Sequence, residues 1–380
     1  MATMSDIART AGVSRTAVSA VLNDGSLENV RIAPETRQRI LDTAEELGYR
    51  PNRIARAVAL GKTRMIGYLV DEPRYEPYWN IIVGALGAAE ELGFTLKLLS
   101  VTHPTLAERV RECVELRLGG LVVRVSGSKR LIFEEANRAR IPVVTVDEGK
   151  PQPFGIRVTS DDALGVRAAL DHLTALGHRR IAFISSGFPQ LYLTRGDPGD
   201  VGTAREELFR QEMSARGLYL PEGYVTHDTV MVFGPRAELS IDDSSARAAA
   251  HALLTHSEGR PTAIFCWRDE TAIFAIRECL RQGLSVPGDI SIIGFSDISA
   301  ARLFEPSLST VKTPWESIGS LAIHQLVRRM DEEFDPSPET HLAPTKFVAR
   351  ASSGPAPYER TDAANSAATI QGGRVDIKEQ

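Results

Sequence analysis

The sequence holds only three cysteines, Cys113, Cys266 and Cys279, far apart and odd in number. That excludes a disulfide framework and the paired spacing of a zinc site, and it fits reduced thiols in the cytoplasm. No apolar run approaches the roughly 20 residues of a membrane-spanning helix. The first residues lack a basic stretch followed by an apolar core, so no secretion signal is expected. The eight histidines are dispersed. No nucleophile elbow, phosphate-binding glycine loop or metal-ligand spacing occurs. These absences argue against an enzyme, a metal centre and a bound cofactor. Positive charge is also scarce for a nucleic-acid binder, because the net charge is -5.

Dividing the chain changes that last picture. Residues 1–62 carry nine basic and seven acidic side chains, a local +2, while the remainder carries 35 basic and 42 acidic ones, or -7. The excess has the sign that DNA requires but is small. Affinity must then come from dimerisation and groove contacts as well as charge. With 380 residues, 43% hydrophobic and 24% charged, the chain suits an ordinary soluble protein of two or three domains.

The stretch Met4 to Asn23 reads as two short helices meeting at a tight turn. Thr3 can cap the first, with Asp6 completing a capping-box-like pair. Ile7, Ala8 and Ala11 give it an apolar face, and Gly12 permits the sharp turn. Ser14 suits the cap of the second helix, whose inner face is Val18, Val21 and Leu22. A third helix opens at Pro34 and ends at Gly48, with Ile40, Leu41, Ala44 and Leu47 as its buried stripe. Helix, glycine turn and helix is the arrangement that lays the second helix in the major groove of DNA. A small helical hairpin packed on another domain would share the pattern.

From Arg64 the chain alternates strands and helices. Apolar runs predict strands at Met65–Val70, Phe94–Leu99, Leu121–Val125, Pro142–Val146, Ile181–Ser185, Ala263–Trp267 and Ser291–Phe295. Helical spacing predicts helices at Asn80–Leu92, Leu106–Leu116, Leu131–Ala139, Ala163–Leu176, Ser244–Leu254 and Thr271–Gln282. This is a doubly wound α/β pattern, whose ligands sit outside the carboxyl ends of the strands. Phe188 to Gly202 and Val225 to Asp243 read as long loops. From Gly354 the chain is rich in Pro, Ala, Gly and Ser, which predicts a disordered tail.

Longer motifs add a family. They are D-I-A-x-x-A-G-V-S-x-x-x-V-S-x-V-L-N from Asp6, E-E-L-G-Y-R-P-N-x-I-A-R from Glu45 and G-K-T-R-x-I-G from Gly61. R-I-A-F-I follows from Arg180, V-P-G-D-I-S-I-I-G-F-S-D from Val286 and L-S-T-V-K-T-P from Leu308. In that order they resemble the lactose/galactose repressor (LacI/GalR) family from about Thr3 to about Ser352. The resemblance implies a helix-turn-helix headpiece at 1–50 and a hinge helix at 51–62. It further implies a two-lobed, periplasmic-binding-protein-like body at 63–353, with the tail at 354–380. It implies a cytoplasmic homodimer that binds a pseudo-palindromic operator and a small effector, a carbohydrate in that family's terms. The alternative is an α/β carbohydrate-binding protein or enzyme fused to a helix-turn-helix.

The same resemblance implies sites. Arg15, Thr16 and Ala20 fall on the base-reading positions, where Arg15 could meet guanine or a phosphate and Ala20 offers only apolar contact. Ser5, Ser14 and Asn23 would cap helices or touch phosphates. Asn52, Ala55 and Val58 lie in the hinge, with Val58 at the position that wedges into the minor groove. For the effector, Arg205 and Asp269 match polar ligand contacts, and Tyr78 and Trp79 match aromatics that line the cleft. Asp147 and Asp161 match acidic positions near it. Arg124 and Arg268 replace smaller or amide residues, and the two added cations would favour an anionic ligand.

Overall fold

The computed structural model describes residues 2–22, 32–49, 63–102, 104–126, 129–147, 153–187, 201–228 and 243–357. The expectations for Asn23, for the hinge with Asn52, Ala55 and Val58, and for the tail beyond 357 lie outside the described residues. The chain divides into two units, Met1–Arg64 and Met65–Gln380.

In the first unit, helix α1 (Met4–Ala11) opens with the capping box its residues imply. Asp6 N donates to Thr3 Oγ1 at 3.3 Å and Thr3 N donates to Asp6 Oδ2 at 3.0 Å. Gly12 ends it at φ 65°, a left-handed conformation that a side chain would strain. Helix α2 (Arg15–Leu22) is capped by Ser14, whose Oγ accepts from Ala17 N at 3.1 Å. Helix α3 (Pro34–Glu46) has proline in its first turn and no side-chain cap from Ala33. Ile7, Ala8, Ala11, Val18, Val21, Ile40 and Ala44 close one small core. Leu41 and Leu47 do not join it and are 40% and 37% exposed. The arc of α3 turned inward is Ile40, Thr43 and Ala44, because two short helices cover only one side of it.

The second unit contains two six-stranded sheets among its described residues. Lobe 1 uses β1 (Met65–Val70), β2 (Thr95–Ser100), β3 (Gly120–Arg124), β4 (Val143–Val146), β5 (Ile156–Asp161) and β11 (Glu339–Pro344). Their order is β2-β1-β3-β4-β5-β11, all parallel. Lobe 2 uses β6 (Ile181–Ser186), β7 (Val225–Asp228), β8 (Ala263–Cys266), β9 (Ser291–Ser296), β10 (Ser309–Lys312) and β12 (Lys346–Val348). Their order is β7-β6-β8-β9-β10-β12, parallel except for β12 against β10. The chain passes between lobes after β5, after β10 and between β11 and β12.

Both faces of each sheet are covered, and strand residues alternate between the two cores. In lobe 1, Ile66, Tyr68 and Val70 face α4 (Glu76–Glu91) and α12 (Trp315–Asp331). Leu69 faces α5 (Leu106–Glu115) and α6 (Arg130–Arg138) on the other side. In lobe 2, Ala182, Ile184, Ile264 and Cys266 face α9 (Ser244–Leu254) and α10 (Asp269–Arg281). Phe183 and Phe265 face α7 (Asp162–Ala175) and α8 (Val201–Ala215). The strands missed by the sequence reading are β5, β7, β10, β11 and β12. Of these, β7 (VTHD) and β11 (ETHLAP) are largely polar and β12 (KFV) is only three residues long; all three lie at sheet edges, where a long apolar run is not needed.

Helices α4 and α12 meet backbone to backbone. A Cβ on Gly84 would lie 1.9 Å from Glu316 O, and one on Gly319 would lie 1.9 Å from Ile81 O. Neither neighbour is a flexible side chain, so neither helix can yield without moving.

Asp269 is a structural joint of lobe 2. It is fully buried at the start of α10. Its Oδ2 accepts from Ile298 N at 2.9 Å and its Oδ1 accepts from the Thr310 hydroxyl at 2.5 Å. The effector contact implied for Asp269 is thereby corrected, since both oxygens are spent inside the lobe. The cause is helical phase: Asp269, Ala272, Ile276 and Cys279 form the inward stripe of α10. Burial pushes the carboxyl up to about 7, with the Thr310 and Ile298 bonds pulling the other way.

Two outcomes follow from these packings. Gly84→Ala or Gly319→Ala should destabilise the body by about 1–3 kcal/mol in urea unfolding, whereas Gly87→Ala, which has nothing within 4 Å, should be neutral or stabilising. Equal effects at all three glycines would refute the close contact. Because the folded-state pKa of Asp269 lies above the ordinary carboxylate range, the folded state holds that proton more tightly. Its contribution to stability is full at low pH, falls as pH rises through that window and levels off above about 7. The urea midpoint of Asp269→Asn relative to wild type should therefore rise between about pH 4 and about pH 7 and change little above that. A constant difference would show that Asp269 does not titrate there.

Candidate functional site

The carboxyl ends of the parallel strands gather the charged residues of the body. Arg124 ends β3, Asp147 follows β4, Asp161 ends β5, Asp228 ends β7 and Arg268 follows β8. Arg124, Arg205 and Arg268 are 7%, 3% and 4% exposed, so none is a surface cation.

Each of the three has a carboxylate. Arg124 Nε lies 3.4 Å from Asp147 Oδ2, and its guanidinium sits 3.9 Å from the centre of the Tyr78 ring while donating to the Tyr78 hydroxyl. Arg205 Nε donates to Asp162 Oδ2 at 2.8 Å and Nη1 to Trp267 O at 2.7 Å, with the guanidinium stacked 3.6 Å from the Phe295 ring. Arg268 Nη2 is 3.7 Å from Asp228 Oδ2, its Nε donates to Thr271 Oγ1 at 3.4 Å, and it covers the Trp267 ring at 4.5 Å. The cations that the sequence assigns to an anionic ligand are thus neutralised by the protein itself.

Two polar contacts join the lobes at this site. Tyr75 faces the Glu270 carboxylate, and burial first, then that carboxylate's charge, pushes the tyrosine well above its usual pKa. Tyr75 also packs edge-on against Tyr78, ring centres 4.8 Å apart. Nearby, Ser299 N and Oγ donate to Glu76 Oε1 at 2.9 and 2.7 Å. Burial pushes the Asp147 carboxyl up, and the Arg124 and Arg205 guanidiniums pull it down. Arg205 belongs to lobe 2 and Asp147 to lobe 1, so that attraction also spans the cleft. Yet Arg205 Nη2, Asp147 Oδ1, Trp267 Nε1 and Glu270 Oε2 are buried with no hydrogen-bond partner among the described residues.

Tyr78, Arg124, Asp147, Arg205 and Arg268 therefore come together as the resemblance implies. Three residues do not. Asp269 is spent inside lobe 2. Asp161 caps α7, its Oδ1 accepting from Leu164 N at 3.0 Å. Trp79 is 48% exposed, because one residue beyond Tyr78 is about 100° further round the helix. The sequence reading missed Tyr75, Asp162, Asp228, Trp267, Glu270 and Phe295. Two of them had a signal. In the doublets Asp161-Asp162 and Asp269-Glu270 the first acid is held by a helix start or the lobe core. The second is left to the cleft.

In the headpiece, Ser5, Ser14, Arg15 and Thr16 are exposed, and Arg15 and Thr16 lie in the first turn of α2. Ser14 is the cap of that helix. Ala20 is corrected as a base contact: it is 7% exposed, so little of its methyl is offered to a groove.

Known proteins match most of the chain. Residues 3–52 match the family described as bacterial regulatory proteins, lacI family, and residues 170–353 match a periplasmic binding protein-like domain. The HTH-type transcriptional repressor PurR of Aliivibrio salmonicida (strain LFI1238) is 30% identical over 339 residues, covering 88% of this chain and 93% of that protein. PurR of Erwinia tasmaniensis is 30% identical over 363 residues, covering 94% and 98%. A solved complex of the transcriptional regulator CelR with cellobiose is 26% identical, with TM-score 0.63 over 93% of this chain and 100% of that one. The lac repressor dimer bound to operator and the anti-inducer ONPF shares the fold, with TM-score 0.72 at 21% identity, covering 93% and 99%. The chain belongs to the lacI family of bacterial regulatory proteins and is a DNA-binding transcriptional repressor, not an enzyme.

Proposed function

We propose that a small carbohydrate held between the lobes sets how tightly a homodimer of this chain holds its operator in the cytoplasm. One observation carries the effector reading. Arg205 Nη2 and Asp147 Oδ1 come from opposite lobes, are buried, and have no hydrogen-bond partner among the described residues. Buried polar atoms of native proteins are nearly always bonded, and a sugar hydroxyl can accept from one and donate to the other. The resemblance to the CelR–cellobiose complex supports the same class of ligand. Ligand that binds the closed lobes more tightly than the open ones shifts their populations, and such couplings to a second site are typically about 1–3 kcal/mol.

The DNA contacts rest on α2. Arg15 and Thr16 stand exposed at its start, the end that enters the major groove in this motif. Residues 1–50 form the reading unit, 51–62 the hinge and 63–353 the effector and pairing unit. For pairing, Trp79, Val83 and Leu86 are 48%, 39% and 43% exposed on α4. Their spacing puts three large apolar side chains on one helical face, the composition of an interface centre.

On the duplex selected from a random library, Arg15→Ala should weaken binding by about 1–3 kcal/mol and relax preference at one position per half-site. A uniform loss on every sequence would make Arg15 a phosphate anchor instead. Trp79→Asp should sediment as a monomer at concentrations where wild type is a dimer, with its thermal midpoint still a single transition. A dimer unchanged by that substitution would place pairing elsewhere.

A further inference from the structure

We propose that Glu270, not Asp269, is the carboxylate with which lobe 2 holds the effector, and that with Asp147 it makes the cleft select a neutral polyhydroxylated molecule over an anion. The proposal rests on the effector reading above.

Glu270 begins where Asp269 leaves off. Asp269 is turned into the lobe by the inward stripe of α10, and the next residue lies about 100° round the helix. There the Glu270 carboxylate stands beside Tyr75 of the other lobe, while Oε2 is buried with no hydrogen-bond partner among the described residues. A buried carboxylate oxygen without a donor is costly, and a ligand hydroxyl removes that cost. Tyr75 contacts Tyr78, and Tyr78 contacts Arg124, which faces Asp147. Glu270 is therefore continuous with the cluster that closes over the cleft.

Four of the unmet hydrogen-bonding groups at this cluster define the ligand; the Tyr68 hydroxyl, beside Arg124 and Asp147, is a fifth that can donate or accept. Arg205 Nη2 and Trp267 Nε1 are donors; Asp147 Oδ1 and Glu270 Oε2 are carboxyl oxygens. A hydroxyl donates and accepts, so adjacent hydroxyls can meet all four. A phosphate or carboxylate only accepts. It would satisfy Arg205 and Trp267 and bring a like charge against Glu270. Net charge points the same way. Arg124, Arg205 and Arg268 face Asp147, Asp162 and Asp228, and Glu270 is a further acid. Even with Asp147 protonated, these carboxylates equal the guanidiniums, so no positive field remains to attract an anion.

The test uses the full chain and paired probes: cellobiose with cellobionate, glucose with glucose 6-phosphate, and ribose with ribose 5-phosphate. Thermal shift identifies binders and calorimetry measures them. At least one neutral sugar should bind, its acidic or phosphorylated partner should bind at least tenfold more weakly, and Glu270→Gln should weaken the neutral sugar at least tenfold. Asp269→Asn should weaken it less than Glu270→Gln does. The ligand-free thermal midpoint of each variant confirms that the body has folded, and where Glu270→Gln does not fold, Tyr75→Phe and Asp147→Asn replace it with the same expected order. A neutral sugar that Glu270→Gln binds as wild type does overturns the proposal and leaves the effector reading standing. Preference for the anionic partner overturns the proposal as well. A panel in which no sugar binds overturns the effector reading itself, and the proposal with it.

Discussion

Taking a guanidinium out of water costs several kcal/mol unless a carboxylate and further hydrogen bonds meet it, and the cleft buries three of them. That requirement organises the carboxyl ends of both sheets. It explains why Asp147, Asp162 and Asp228 stand where they do, each at the end of a strand or the start of a helix within reach of one arginine. It also fixes the character of the cleft. With the arginines neutralised from within, recognition there depends on matching donors and acceptors rather than on field strength. The headpiece works the other way, since phosphate contacts are salt-dependent and the local charge of residues 1–62 is positive. One chain thus keeps its two binding events in different electrostatic regimes.

Much of this was legible in the residues because local rules carried it. The Thr3–Asp6 box, the Gly12 turn and the Ser14 cap are interactions of near neighbours, and they are present as read. Central strands were legible because strands buried on both faces must be continuously apolar, as Gly120–Arg124 and Val143–Val146 nearly are. Edge strands such as Glu339–Pro344 were not, because their backbone partners come from far along the chain and their side chains are half in water. Leu41 and Leu47 failed for a related reason: periodicity marks an apolar face but not how much of it neighbours will cover.

The site residues divide along the same line. Matching motifs located segments that meet in the fold, since Arg124, Asp147, Arg205 and Arg268 converge. Motif position could not choose between adjacent acids. That choice belongs to helical phase, and at Asp161-Asp162 and Asp269-Glu270 it sends one carboxylate to the scaffold and one to the cleft. Arg268 and Arg124 misled for another reason. Their charge was visible in the sequence, but the partners that cancel it were distant in it.

Helix α4 bears at one end the tyrosines that touch the cleft and along its flank the apolar side chains of Trp79, Val83 and Leu86. Its 16 residues span about 24 Å. The glycine contacts with α12 leave no side chains between the two helices at those points to absorb a displacement. Such a pair behaves as a stiff beam: tilting the tyrosine end carries the whole flank with it, in proportion to distance. A displacement at the cleft end would then reach Val83 and Leu86 through the helix itself, without any relay of side-chain rearrangements.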